Sequence, residues 1–566
     1  GHQLVPIGDY VIDWVASDGS YRLWRFDPGS SDPLGRDTVQ EGKWDTIGDQ
    51  HTLVGVQPTI PLGAASSTPA TLDYMRSKIK KIVFYMLENR SFDHVCGWLY
   101  EHDVPSHLIG STEQYDGANS KYFNVDAGGK KIYVSKYEGE NLDCPTEGAK
   151  HDHGDVMNQL FEPFDKTYAK KNSPPMTGFV LDNATGQTME TYTPERLSVL
   201  NGLAKAYAIS DAWFCSLPGP TDLNRAFSLT GSSFGFTTSF ESGRSYQYWP
   251  NTPHRPSIWK VLWDNGFDDW TIYYPDDWEG FCYTYHLFLK GQIPTVDANR
   301  SPHLKTMEDH FYQEASNGSL PRFSFIEPAW IGGDPKGGDR PPNSYHPPMD
   351  LVPGEITLNN VYNALFGEGT TLQQREETLL VITFDEHGGQ YDHVSPPYGA
   401  RPYANDKDSK SGFEFDLFGV RVPTILVSPW IEEKTVFRSQ TPVQYDSTSI
   451  LATVLSWYGV PKERWGLGER TAHAPTFESV FTRETARTDQ PAFTPPLAEK
   501  TLGASDIPLN DLHRLFVPRI LWHLAGGKID DDQLDEAAQD IQNRANNVEE
   551  LHNLLAAFQE SIAQMN

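Results

Sequence analysis

Cysteine is scarce: 566 residues hold four, Cys96, Cys144, Cys215 and Cys282, and no two of them stand in a CxxC spacing. That excludes a thiolate zinc cluster and leaves disulfides or buried thiols, with at least one disulfide expected. Positive charge is short as well, 46 Lys and Arg against 76 Asp and Glu, for a formal net charge of -30. A polyanion is repelled by nucleic acid and by anionic membranes, so nucleic acid is excluded as a partner and any contact with a lipid surface is transient. No apolar run approaches the roughly twenty residues that cross a bilayer, which excludes a transmembrane segment. No signal peptide precedes Gly1-His2, so the sequence reads as a mature or trimmed chain, and its acidity fits an extracellular, secreted protein.

What is present begins with two strand ends. Lys80-Lys81-Ile82-Val83-Phe84-Tyr85-Met86-Leu87 is a short β-branched and aromatic run, the pattern of a strand buried on both faces. It turns abruptly polar at Glu88-Asn89-Arg90-Ser91-Phe92-Asp93-His94, where Ser91 or Asp93 is placed to cap a helix. Ligands of open α/β sheets bind beyond the carboxyl ends of the strands, and Glu88 and Asn89 stand at such an end. A second buried run, Thr378 to Phe384, leads into Asp385-Glu386-His387-Gly388-Gly389-Gln390-Tyr391-Asp392-His393. Its paired glycines permit a sharp turn and leave room for a ligand. One acidic loop is ordinarily a solvated loop. Two polar clusters, each directly after a buried strand, point to a site.

Helix and strand alternate along the chain. Helices are expected over Pro194 to Ala206 with Thr193 as cap, Ser257 to Asn265, Leu304 to Ser316, Gly354 to Phe366 and Gln444 to Trp457. Strands are expected over Ala206 to Phe214, Asp269 to Tyr274, Phe323 to Ile326 and Val422 to Ser428. This rhythm predicts an α/β fold, a mostly parallel central sheet with helices on both faces, in residues 71-500. Residues 1-70 read as a β-rich appendage and linker. There Asp18-Gly19 joins Tyr10 to Val15 with Tyr21 to Phe26, a strand at His51 to Val56 follows, and the linker runs from Gly63 to Pro69. Residues 501-566 are helical. In them Leu534, Ile541, Val548, Leu555 and Ile562 recur every seven residues, a stripe expected to dock along the main domain rather than on another chain.

Through Pro218-Gly219-Pro220 the chain reaches Thr221, with Asn224 to Leu229 helical after it. Thr221 therefore sits at a helix N-terminus, where free N–H groups favour an anion such as phosphate. Three segments now carry a resemblance: Glu88 to His94, Pro220-Thr221-Asp222-Leu223-Asn224-Arg225, and Asp385-Glu386-His387-Gly388-Gly389. They resemble the signature segments of the phosphoesterase family, which contains bacterial and plant non-specific phospholipases C and some acid phosphatases within the alkaline phosphatase superfamily. The likeness runs from about Lys80 to Gly459 and departs at Asp222-Leu223, a change expected to touch substrate fit more than chemistry.

The resemblance implies an alkaline-phosphatase-like fold and a metal-dependent phosphoric ester hydrolase. Thr221 is then the nucleophile, and Glu88, Asn89, Asp385, Glu386 and the Thr221 oxygen hold one divalent cation. Oxygen ligands favour Ca²⁺ or Mg²⁺, with Mn²⁺ or Zn²⁺ as alternatives. The loop histidines His151, His286 and His346 are assigned to the phosphoryl group, with His153, His387 and His393 as rivals. The expected reaction cleaves a phospholipid to diacylglycerol and a phosphorylated head group through a phosphothreonine. An acid phosphatase acting on monoesters is the alternative. A non-catalytic binding protein on this fold is a third reading, disfavoured because nucleophile and ligands are all in place. Trp249, Trp270, Trp278, Phe281, Tyr283, Tyr285, Phe288 and Trp330 crowd the insertion loops. As a rim they would cover acyl chains or stack on a quaternary ammonium, which favours lipid over monoester.

Overall fold

The structure, a computed structural model, describes the four strands within residues 2–43 and then residues 68–564, apart from 140–147, 163–167, 169–170, 184, 240–254, 276–277, 279, 297–300, 333–340, 407–411, 498–503 and 527. It divides into two compact units, Gly1–Ser66 and Ser67–Asn566. The first is a four-stranded antiparallel sheet, β1 (His2–Ile7), β2 (Tyr10–Val15), β3 (Ser20–Phe26) and β4 (Arg36–Lys43), paired in chain order. The hairpin signal at Asp18-Gly19 is met by the pairing of Val15 with Ser20. The expected strand at His51 to Val56 and most of the linker lie outside the described residues.

The second unit is built on nine strands: β5 (Lys81–Leu87), β6 (His107–Ile109), β7 (Ala208–Ser210), β8 (Trp270–Tyr274), β9 (Leu304–Thr306), β10 (Phe323–Ile326), β11 (Thr378–Phe384), β12 (Thr424–Val427) and β13 (Thr435–Phe437). Their order across the sheet is β9-β8-β10-β5-β11-β12-β7-β13-β6. Neighbours run parallel except at β12, antiparallel to both β11 and β7. The mostly parallel sheet is thus present, and its exception is the expected strand over Val422 to Ser428. Every residue of β11 and all but the first of β5 are buried, as central strands covered on both faces require.

The helices that frame the site are α1 (Phe92–Cys96), α2 (His153–Phe161), α3 (Ser198–Ala206), α4 (Thr221–Thr230) and α5 (Val352–Phe366). Ser91 caps α1 by accepting from His94 N. Helix α3 begins at Ser198, four residues after the expected Pro194. The reason lies far away in sequence: the buried Glu355 carboxylate of α5 accepts from Val199 N at 2.6 Å and Leu200 N at 3.1 Å, a cap Thr193 does not supply. The expected helix over Leu304 to Ser316 also starts late, because Leu304–Thr306 pairs with β8 at the sheet edge.

Three helices end the chain, α6 (Asp511–Ala525), α7 (Asp531–Arg544) and α8 (Val548–Gln564). Leu534, Ile541, Val548, Leu555 and Ile562 are all buried, the heptad stripe turned inward. Cys96, Cys215 and Cys282 are buried free thiols and Cys144 lies outside the described residues, so the expected disulfide is absent among the described residues.

Candidate active site

Strands β5 and β11 are adjacent and parallel with Leu87 opposite Phe384, so Glu88 and Asp385 leave the same end of the sheet side by side. The two segments are tied at once: Asp385 Oδ1 accepts from Asn89 N at 3.1 Å and from Glu386 N at 2.7 Å. The glycines behind them answer to close approach. A Cβ on Gly388, whose φ is +63°, would stand 2.3 Å from Asn89 O, and one on Gly389, with φ +70°, 2.4 Å from Lys150 O. The turn therefore packs on both the first motif and the loop that carries His151.

Thr221 is the first residue of α4. Its Oγ1 lies 3.0 Å from Glu88 Oε2, to which it donates, and 3.2 Å from Asn89 Oδ1. One turn along, Arg225 Nε donates to Glu88 Oε1 at 2.6 Å and stands 3.7 Å from Asp385 Oδ2, with its guanidinium 4.4 Å over the Trp330 ring. The structure thus brings Glu88, Asn89, Thr221, Asp385 and Glu386 into one buried cluster. Asp385 Oδ2 and Glu386 Oε1 have no hydrogen-bond donor. Burial, set against Arg225, pushes Asp385 up to about 6, and burial, set against His151, pushes Glu386 up to about 7. Glu88 is raised well above its usual range, by burial first, with Arg225 opposing and Asp385 adding to it. Undonated oxygens on crowded carboxylates are what a hard divalent cation relieves, so the donor set fits such an ion.

Two of the three expected histidines flank this cluster. His151 Nε2 lies 3.4 Å from Asn89 Nδ2 and 3.7 Å from Glu386 Oε1, while its Nδ1 is bonded to Ala149 O at 2.8 Å. Burial opposes its charge, but Glu386 and Asp511 hold the imidazole well above its usual range. The His346 ring centre is 5.8 Å away. Its Nδ1 bonds Pro347 O at 2.5 Å, and its Nε2 has no hydrogen-bond partner. Burial brings His346 down to about 4, so at neutral pH it carries no charge. Its loop is anchored by Tyr345, which accepts from Arg90 Nε through its carbonyl and donates its hydroxyl to Glu355.

His286 is elsewhere. It stacks on Phe281 and packs against Trp522 and His523, and these contacts do not reach the oxygen cluster. The rivals are engaged structurally: His153 with Pro218 O, His387 with Gln159 Oε1, and His393 with Asp93 and Asp116.

A pocket of about 690 Å³ opens above Thr221, His151 and His346, and its other wall is the C-terminal helices. Asp511, the first residue of α6, accepts from His151 Nε2 at 3.0 Å and stands 3.8 Å from His346 Nε2. Sequence reading missed it. The available signal was Asn510-Asp511 at the start of the helical tail, which reads as an ordinary cap. Arg519 of the same helix ion-pairs with Asp222, which also accepts from Tyr283 OH at 2.7 Å. The motif departure at Asp222 thus meets the tail rather than the pocket. The aromatics behave likewise. Trp270, Trp278, Phe281, Tyr283, Tyr285, Phe288 and Trp330 are buried, and Tyr283 and Trp330 hold Phe516 of α6 at ring distances of 5.2 and 5.0 Å. Phe281 also meets Phe516, and Trp278 meets His552 of α8, so these four rings seat the tail, while Trp270 packs on Trp259 and His303 within the main unit; buried in this way, the seven do not form a rim. Trp249 lies outside the described residues.

The chain is similar to several known proteins. Non-specific phospholipase C6 of Arabidopsis thaliana is 33% identical over 436 residues, 75% of this chain and 76% of that protein. Non-specific phospholipase C5 of the same plant is 32% identical over 441 residues, 73% and 76% of the two chains. Phospholipase C B of Mycobacterium tuberculosis is 23% identical over 419 residues, 68% and 74%. A solved structure from Vibrio parahaemolyticus, described as a protein in the alkaline phosphatase superfamily, aligns with a TM-score of 0.27 at 14% identity over 49% of this chain and 63% of that one. The model of the phosphoesterase family matches residues 79–461, a span that contains all five oxygen donors and both flanking histidines; the chain belongs to the phosphoesterase family and is a phosphoric ester hydrolase.

Proposed function

We propose that the protein is a phospholipase C acting through a phosphothreonine on Thr221, with one divalent cation, Ca²⁺ or Mg²⁺, held by Glu88, Asn89, Asp385 and Glu386. The observation that carries this reading is the placement of the Thr221 hydroxyl. It lies at a helix N-terminus, 3.0 Å from a strand-end carboxylate, on the floor of a pocket walled by two histidines. The relatives named phospholipase C support a lipid diester as substrate. The buried aromatics no longer do.

Bound there, the cation would supply positive charge to the phosphoryl oxygens and to the nucleophilic oxygen. The chain's own residues do the rest. The N-terminus of α4 aims its free N–H groups at the phosphoryl group. Thr221 Oγ1 directs its proton to Glu88 Oε2 as its oxygen bonds to phosphorus, and the ester bond to the diacylglycerol oxygen breaks in line. His151 Nε2 gives the departing alkoxide its proton. In the second half His151 takes a proton from water, whose oxygen bonds to phosphorus as the bond to Thr221 Oγ1 breaks; Glu88 Oε2 returns its proton to that oxygen, and the phosphorylated head group is released. Neutral His346, with Nδ1 tied to Pro347, keeps Nε2 as an acceptor for the substrate or that water.

The test is a comparison of substrates. Purified protein with Ca²⁺ or Mg²⁺ is expected to release diacylglycerol from mixed micelles of phosphatidylcholine faster than phosphate from small monoesters. The opposite order would replace this reading by acid phosphatase.

A further inference from the structure

We infer that Asp511, carried in from the C-terminal helix, is the residue that selects singly charged phosphodiesters over doubly charged phosphomonoesters at this site. The inference rests on the reading above and answers a question that the metal ligands, Thr221 and the histidines leave open, since they serve either ester. It begins from where the carboxylate is. Asp511 Oδ2 is 3.0 Å from His151 Nε2, that nitrogen is 3.4 Å from Asn89 Nδ2, and the other amide atom, Asn89 Oδ1, is 3.2 Å from Thr221 Oγ1. One imidazole and one amide separate a carboxylate from the nucleophile. Half of the Asp511 side chain remains exposed toward the pocket, at 52%. Among the described residues lining that pocket, Asp511 is the charged one in hydrogen-bond contact with His151.

Helix capping does not account for it. The cap of α6 is Asn510, whose Oδ1 accepts from His513 N at 2.9 Å while His513 Nδ1 accepts from Asn510 N at 3.1 Å. The helix start is satisfied without Asp511. Its position is also fixed from a distance: the Arg519 ion pair to Asp222 and the seating of Phe516 between Tyr283 and Trp330 hold α6 against the helix of Thr221. The helix that carries the carboxylate is thus held in place beside the pocket, and the contact with His151 Nε2 at 3.0 Å directs the side chain to it.

The consequence is electrostatic. A phosphomonoester carries close to two negative charges above its second ionisation near pH 6, and a diester carries one. The extra charge of the monoester lies on the oxygen that in a diester bears the second ester substituent. Asp511 repels that oxygen when it is charged and tolerates it when it is esterified. A unit charge a few ångströms away at a partly buried site discriminates between the two by ~10- to 100-fold.

The experiment uses the full chain and two chromogenic probes that share a leaving group, p-nitrophenyl phosphorylcholine and p-nitrophenyl phosphate, assayed at pH 7.5 with the same divalent cation. The readout is the ratio of their kcat/KM values, which a general loss of folded protein does not move. Asp511→Asn is expected to raise the monoester rate relative to the diester rate by at least ~10-fold, and Asp511→Ser, which also leaves the Asn510 cap in place, to do the same. Asp511→Glu, which keeps the charge, is expected to retain the wild-type preference. Variants that lose both activities in equal proportion would show that Asp511 only supports His151, and would overturn the proposal. Wild-type protein that cleaves diesters while the ratio stays fixed in the variants overturns the selection role alone; wild-type protein that cleaves neither probe nor phosphatidylcholine overturns the underlying reading as well.

Discussion

Two clusters of the same residue types grow from the same two segments, a few residues apart, and they do opposite things. Glu88 and Asn89 meet Asp385 and Glu386; Asp93 meets Asp392 and His393. In the second cluster Arg421 donates to Asp93 Oδ1 at 3.0 Å and to Asp392 Oδ1 at 2.9 Å. His393 bonds Asp93 at 2.6 Å and Asp116 at 2.9 Å, and burial notwithstanding, those carboxylates lift it to about 9. No buried side-chain atom of Asp93, Asp392, His393 or Arg421 lacks a partner. The first cluster leaves Asp385 Oδ2, Glu386 Oε1 and His346 Nε2 without one, beneath an open pocket. Both clusters look alike as lists of acids and histidines. Satisfaction separates them: a closed network clamps the fold, and an incomplete one is built to receive something.

Substitutions should divide along that line. Thr221→Val keeps the shape and removes the hydroxyl, so turnover is expected to fall by roughly 10³-fold or more, the scale seen when a nucleophile is deleted, with the melting temperature close to wild type. A variant that melts early without losing turnover per folded molecule would put Thr221 in the clamp's class. Arg421→Met is the converse. Stranding Asp93 and Asp392 in the interior should cost about 3–5 kcal/mol of stability, read as the denaturant midpoint, while turnover per folded molecule persists. Selective loss of activity at full stability would mean that the second cluster also serves the chemistry.

The undonated carboxylates set a pH dependence for the cation. Asp385 and Glu386 hold protons up to about 6 and about 7, so a cation must displace them. Affinity for Ca²⁺ or Mg²⁺ by calorimetry should therefore weaken as pH falls from 8 to 5, with proton release on binding, by about tenfold per unit for each proton displaced. Affinity independent of pH would contradict the assigned ligands.

The smallest effect concerns Glu355, the carboxylate that caps α3 and anchors Tyr345. Burial pushes it up to about 7 from an ordinary 4.5. A raised carboxyl favours the folded state fully below its unfolded value, and that contribution is lost as pH rises through the folded one. Stability is thus expected to fall between about pH 4.5 and 7 by up to ~3 kcal/mol, and Glu355→Gln should flatten the curve over that window. Parallel curves for the two proteins would remove Glu355 from the account.

What the sequence made legible was local. Strands β5 and β11 show as buried apolar runs, and the polar residues directly after each are the site because parallel neighbours end together. Thr221 was readable from Pro-Gly-Pro before a helical stretch. What failed was long-range. The cap of α3 comes from Glu355, 156 residues away from Val199, so no nearby residue announces it. Of the aromatics counted as a rim, Phe281, Tyr283 and Trp330 became the seat of α6, since composition records rings but not what they face. Asp511 and the partner of Asp222 sit beyond the matched span, on a helix whose own pattern shows only that it is amphipathic.

The stereochemical course at phosphorus decides whether Thr221 is the nucleophile. With a phosphatidylcholine analogue made chiral at phosphorus by oxygen isotopes and hydrolysed in isotopic water, transfer to Thr221 and then to water inverts twice. The expected product is a phosphorylated head group with retained configuration. Inversion would mean a single displacement by water, with Thr221 only a ligand, and would contradict its role as nucleophile.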